Sequence, residues 1–140
     1  MSEIIIDAGG QIAGRVASRV AKMLLREESV CVVNAEKAII SGNPDSTVKL
    51  YESKIKRGDP YHGPFYPKAP DKIMERVIRG MLPYKKPRGK RAFKRLKVFI
   101  SIPEELKDKD IKKFDVPELG NKFITLGKLS SRLGVKKTWQ

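Results

Sequence analysis

Cysteine is nearly missing from this chain. Cys31 stands alone among 140 residues, which excludes an intramolecular disulfide framework and any multi-cysteine zinc site. It lies in the apolar run Val30 to Val33, a setting for a small buried hydrophobe rather than a reactive thiol. Long apolar runs are missing too. No stretch approaches the roughly 18 residues of a membrane span, and the N-terminus has no basic segment followed by an apolar one. A soluble, cytoplasmic protein with no membrane partner is the expectation. Histidine is limited to His62, so any catalytic dyad would have to be built around it, and no convincing nucleophile lies near. Asp108 and Asp110 pair on a charged stretch without a third ligand at useful spacing, so no metal site is expected.

Acidic residues are scarce in one place. Lys and Arg number 30 against 16 Asp and Glu, a net charge of +14. Residues 1–53 hold 6 basic and 7 acidic residues, 54–97 hold 15 and 3, and 98–140 hold 9 and 6, giving −1, +12 and +3. A surplus confined to the middle third describes a binding face on an otherwise ordinary domain, and its natural partner is a polyanion. The densest part, Lys85 to Lys97, has eight basic residues in thirteen and no acid.

The first third reads as an α/β unit. Ile4, Ile5 and Ile6 suit a strand buried on both faces. Gly9 and Gly10 break it, and Ile12, Val16, Val20, Met23 and Leu24 then recur at helical spacing to Arg26. Ser29 to Asn34 is a second strand, and strand–helix–strand order implies a parallel pair. Ala38 to Ile40 is a short third apolar element. Asn43-Pro44 caps a helix to about Ile55. From Arg57 to Pro70, four prolines and two glycines exclude regular structure. Asp71 is placed to cap a helix from Lys72 to Met81 with Ile73, Val77, Ile78 and Met81 inward, stopped by Pro83. Phe93 and Leu96 define a short basic helix with one apolar side, and Val98 to Ile102 reads as another core strand. Beyond it, Glu104 to Lys113 reads as a solvated helix or linker, and Thr125 caps a helix over Leu126 to Leu133 that Gly134 stops. The expected division is an α/β domain over residues 1–103, containing the basic segment 57–97, and a C-terminal extension over 104–140.

The turn Gly9-Gly10-Gln11-Ile12-Ala13-Gly14 keeps the G-x4-G spacing of a phosphate loop, but Arg15 and Val16 stand where lysine and Ser/Thr are needed. Gly9, Gly10 and Gly14 are therefore read as turn-shaping, with a nucleotide-binding enzyme as the rival reading and no cofactor or small-molecule substrate expected. A transcription factor is a third option, though no recognition helix with base-reading Asn or Gln stands out. The basic segment is the stronger signal: its cations suit phosphates, and Tyr61, Phe65, Tyr66, Tyr84 and Phe93 offer faces for unpaired bases, with a core role favoured for Phe93. Arg57, Tyr61, His62 and Lys68 are the candidate RNA contacts of the loop. For His62, base or phosphate contact and loop packing both stay open.

Residues 79–100, RGMLPYKKPRGKRAFKRLKVFI, closely resemble the signature of the large-subunit ribosomal protein family L-thirteen, a Gly-Met-Leu-Pro turn, a basic segment and an Arg-Leu-Lys-Val strand. Gly80 to Pro83 and Arg95 to Val98 match it. DAGGQIAGRVAS (Asp7 to Ser18) and VVNAEKAIISGN (Val32 to Asn43) resemble the family's opening elements, and the matches run over most of residues 3–103. Ile100-Ser101-Ile102-Pro103 stands where the bacterial branch has Gly-x-x-His-Pro-His, so the chain looks more like the archaeal and eukaryotic branch. The resemblance implies a three-layer α/β/α fold with a mostly parallel four-stranded sheet, plus a basic loop and helix. It also implies a non-enzymatic role in the ribosome, bound to large-subunit ribosomal RNA and neighbouring ribosomal proteins. It carries RNA contact to Arg79, Lys85, Lys86, Arg88, Lys90, Arg91, Lys94, Arg95 and Lys97, and turn-shaping to Gly80 and Pro83.

Overall fold

A computed structural model describes residues 3–56, 67–114 and 122–136. Strand β1 (Glu3–Asp7), helix α1 (Ala13–Leu25) and strand β2 (Ser29–Val33) form where the apolar patterning places them. The strands pair in parallel, Ile4 opposite Val30 and Ile6 opposite Val32. Helix α1 turns Val16, Ala17, Val20 and Leu24 onto the sheet, none more than 2% exposed. A 3-10 turn (Ala35–Lys37) leads to strand β3 (Ile39–Ser41) and helix α2 (Pro44–Lys56). Asn43 caps α2 as expected, its Oδ1 accepting from the Asp45 amide at 2.9 Å.

Helix α3 (Pro70–Gly80) begins earlier than the sequence reading has it. Pro70, with its ring-fixed φ, takes the first helical position, so Asp71 lies inside the first turn and is not the cap. The buried stripe accordingly runs through Ile73, Met74 and Ile78, while Met81, expected inward, lies past the helix end and is 43% exposed. Helix α4 (Pro87–Lys94) is followed at once by strand β4 (Leu96–Val98). Leu96 therefore belongs to the strand and not to the basic helix. The strand ends at Val98 rather than Ile102, because Leu96 and Val98 fill the two core positions opposite Val30 and Val32. Beyond them Phe99 and Ile102 cross to pack on the opposite face, and Ser101 takes a left-handed φ of 58°.

The C-terminal residues enter the fold. After a 3-10 turn (Glu104–Leu106), strand β5 (Ile111–Lys112) pairs in parallel with β1, where the sequence reading has a solvated helix or linker. Strand β6 (Phe123–Thr125) pairs antiparallel with β3 and leads into helix α5 (Leu126–Arg132). Thr125 caps α5 through Oγ1, which accepts from the Lys128 amide at 3.2 Å, and Gly134 ends it with φ of 101°. Leu126 and Leu129 are fully buried in the main core.

The main sheet has the order β4-β2-β1-β5, all parallel, and β3 with β6 forms a separate two-stranded sheet. On one face Ile6, Val30, Val32, Leu96 and Val98 meet side chains of α1, α3, α4 and α5. On the other, Ile5, Cys31 and Val33 are covered by Leu106 from the 3-10 turn and by Phe99, Ile102 and Ile111. The fold is thus α/β/α in three layers, the second helical layer reduced to a single turn. Among the described residues no helix is long and apolar enough to cross a membrane.

Cys31 is buried, and its thiol donates a 2.9 Å hydrogen bond to Glu3 Oε1. Burial first, then that bond and the Glu3 charge, push the thiol from its ordinary 9.0 up to about 12. The folded state thus favours the protonated thiol, a contribution fully present below pH 9.0 and lost as pH rises through about 12. Two results are expected. Cys31 resists a thiol-alkylating reagent at pH 8 until the chain is unfolded. Cys31→Ala, compared with the unaltered chain in melts between pH 9 and 12, loses less stability across that window.

Candidate nucleic-acid interface

The interface is built from the end of α3, the turn that follows, and α4. Pro87 opens α4 at its first position, and Gly89 and Ala92, three residues apart, face inward. That choice of inward side leaves Arg88, Lys90, Arg91 and Lys94 exposed, with Lys85 and Lys86 exposed on the turn before it. No carboxylate among the described residues pairs with any of these six. Among the described residues the face is therefore an uncompensated row of cations, able to hold phosphates at several points.

Backbone contact fixes its position. An ideal Cβ on Gly89 would fall 2.0 Å from the Pro83 carbonyl oxygen, 2.3 Å from its carbon and 2.8 Å from the Tyr84 nitrogen. The turn thus lies directly on the helix, and only glycine allows that approach. Leu82 anchors the turn in the core, and Lys86 N donates to Pro83 O at 2.9 Å. The Arg79 guanidinium sits 4.0 Å from the centre of the Tyr84 ring, which in turn meets Phe93 edge-on at 5.5 Å. Tyr84, read from sequence as a face for bases, thereby links α3 to α4, while Phe93 packs on the core.

The predicted residues divide. Lys68 and Lys97 are exposed, the latter 4.0 Å from Glu3 Oε1. Arg79 is half-buried against Tyr84. Arg95 turns inward: its Nη2 donates to the Leu24 carbonyl at 2.6 Å, and its Nε is buried without a partner. There it caps the carbonyl end of α1, where a positive charge is favoured by the helix dipole. Arg57, Tyr61 and His62 lie outside the described residues. Gly80 ends α3 with open space around it, so no steric need for glycine exists there, and Gly14 likewise sits in the open inside α1 rather than in the turn. Gly89 is the residue the sequence reading overlooks. Its only signal is a glycine inside a short helix, where a packing reason is to be sought.

Three amides of the glycine turn are engaged within the chain. Gly9 N donates to Asp7 Oδ1 at 2.8 Å, Gly10 N to Lys37 O at 2.9 Å, and Gln11 N to Ala8 O at 3.1 Å. With these amides engaged by the chain itself, and Gly10 at a φ of 73°, the turn is structural.

Residues 1–105 match the family Ribosomal protein L13. The chain belongs to the ribosomal protein L13 family. It is 49% identical over 137 residues to the large ribosomal subunit protein uL13 of Methanosarcina barkeri, covering 94% of this chain and 98% of that one. The protein of the same name from Haloarcula marismortui is 45% identical over 139 residues, covering 99% and 95%. That of Methanocaldococcus jannaschii is 44% identical over 138 residues, covering 94% and 98%. All three are archaeal, in line with the branch that Ile100 to Pro103 indicates. Each L13 relative is matched along nearly its whole length, so the similarity takes in the C-terminal strands and α5 beyond residue 105.

Proposed function

We propose that this L13-family chain is a non-catalytic structural constituent of the large ribosomal subunit that binds and stabilises folded large-subunit ribosomal RNA and so aids its assembly, alongside neighbouring ribosomal proteins. The observation that carries the reading is the row of six exposed cations from Lys85 to Lys94, without a carboxylate partner among the described residues and held against the domain by the Gly89–Pro83 contact. Folded RNA brings its phosphates close together at a cost in repulsion. A rigid row of cations lowers that cost without moving, and so favours the compact RNA over its open forms. The names of the relatives supply the particle.

Ultraviolet crosslinking in cells, denaturing purification and sequencing of the attached RNA test the reading. The expected result is crosslinks confined to a few positions of large-subunit ribosomal RNA, with the protein peptides coming from residues 57–97. Crosslinks scattered over messenger RNA or DNA would overturn it.

A further inference from the structure

We infer that helix α1 is a second RNA-contact face, on which Arg15, Arg19, Lys22 and Arg26 hold a stretch of ribosomal RNA backbone other than the one on α4. The inference rests on the RNA-binding reading above and deepens it. The four cations stand three and four residues apart, and all are exposed. At ~3.6 residues per turn they fall within an arc of roughly 60°, on a line about 16 Å long. That arc lies opposite the side that buries Val16, Ala17, Val20 and Leu24. No acid occurs from Ala13 to Arg26, and none of the four cations has a carboxylate partner among the described residues. The net charge of −1 over residues 1–53 conceals this stripe, because all seven acids of that block stand off the helix.

Such a stripe is unfavourable on a helix that faces only water. Like charges three and four residues apart repel, and Arg15 stands in the first turn, where the helix dipole disfavours a cation. Neither cost is relieved within the helix, whose first turn has no acid and no side-chain cap. A polyanion relieves both. Arg19 is also held in place: its guanidinium lies 5.0 Å from the centre of the Phe114 ring, and the Phe114 carbonyl accepts from Gln11 Nε2 at 2.6 Å. Stacking on a ring face leaves the N–H groups at the guanidinium edge for phosphate oxygens. An anionic membrane is the poorer partner, because the apolar side of α1 is buried in the core. Protein surfaces interleave both signs of charge, whereas a phosphate backbone is an unbroken line of one sign that matches the stripe. Arg95, bonded to the Leu24 carbonyl, joins the end of α4 to the end of α1, so the two faces keep a fixed spacing. One domain thereby pins two stretches of RNA relative to each other.

The α1 helix bears no aromatic ring and so crosslinks poorly under ultraviolet light, which moves the test to the RNA side. Labelled large-subunit ribosomal RNA is titrated with the full chain at several salt concentrations, and its backbone is probed with hydroxyl radicals. The variant combines Arg15→Gln, Arg19→Gln, Lys22→Gln and Arg26→Gln, which removes charge and keeps helix propensity. The expected result is a slope of log affinity against log salt flattened by about 3, with binding weakened on the order of 1,000-fold at ~0.1 M salt. The melting temperature does not fall, because repulsion is removed. Should it fall, the pair Lys22→Gln and Arg26→Gln, which leaves the Arg19–Phe114 contact in place, gives about half that flattening. The backbone protections lost in the α1 variant differ from those lost when Arg88, Arg91 and Lys94 become alanine. Unchanged slope and protections in the α1 variant, beside a flattened slope in the α4 variant, would overturn the α1 face alone. Loss of the same protections in both variants would overturn the second stretch of RNA. Binding by the unaltered chain that ignores salt would overturn this inference together with the RNA-binding reading.

Discussion

Replacing Arg88, Arg91 and Lys94 by alanine together is expected to weaken RNA binding on the order of 100-fold at ~0.1 M salt. Each phosphate contact contributes about 0.7–0.9 to the slope of log affinity against log salt, so three lost contacts flatten it by roughly 2 to 3. All three side chains are exposed, and none has a carboxylate partner among the described residues, so the fold loses no interaction with them. Titration of labelled ribosomal RNA at several salt concentrations, beside a melting curve, measures both quantities. Arg95→Ala is the contrasting variant. Removing its charge-assisted bond to the Leu24 carbonyl is expected to cost roughly 1.5–3 kcal/mol of stability while leaving the salt slope alone. A slope unchanged by the triple replacement would show that the α4 face is not the RNA face. A slope flattened by Arg95→Ala would show that this guanidinium reaches RNA after all.

The second large effect concerns two glycines that look alike in the sequence. Gly89→Ala is expected to destabilise the protein by roughly 1–3 kcal/mol, the range for forcing an extra carbon into a packed contact. The obstacle is the Pro83 backbone, 2.0 Å from where the new Cβ would lie, and no side-chain rotation relieves it. Either the turn lifts or α4 shifts, and both detach the Arg79–Tyr84–Phe93 stack. Gly14→Ala, in the first turn of α1 with nothing within 4 Å, is expected to raise stability by up to about 1 kcal/mol through helix propensity and a less disordered unfolded chain. Denaturant titration of the two variants decides the matter. Equal effects would mean that the close approach of turn and helix does not exist in solution.

How much of this was readable from the residues follows from the range of the interactions. The β1–α1–β2 unit was legible because its signals are local: three isoleucines, a glycine break, then apolar residues at helical spacing. The caps at Asn43 and Thr125 were legible for the same reason, as each needs only a side-chain oxygen beside a helix start. The main sheet was harder. The resemblance implies four strands, and four are there, but the apolar element Ala38 to Ile40 leads into a separate sheet and Ile111–Lys112 takes the place beside β1. Two residues carry no periodicity, and only the open edge of β1 makes them a strand.

The candidate interface divides along the same line. By itself the sequence determined that a basic face exists and roughly where, because charge is a property of composition and cannot be buried wholesale. It also determined the family, through the Gly-Met-Leu-Pro turn and the Arg-Leu-Lys-Val strand. Only the tertiary structure decided which cations point outward. Arg91 and Arg95 lie four residues apart with the same chemistry, and what separates them is that Arg95 stands at the end of α4, beside the bare carbonyls closing α1. Only the structure, too, distinguished Gly89 from Gly14 and Gly80, since the need for a missing side chain is set by a backbone six residues away in sequence and in direct contact in space. Local chemistry fixes what each residue is able to do, and the packing of one element on another selects which of those things it does.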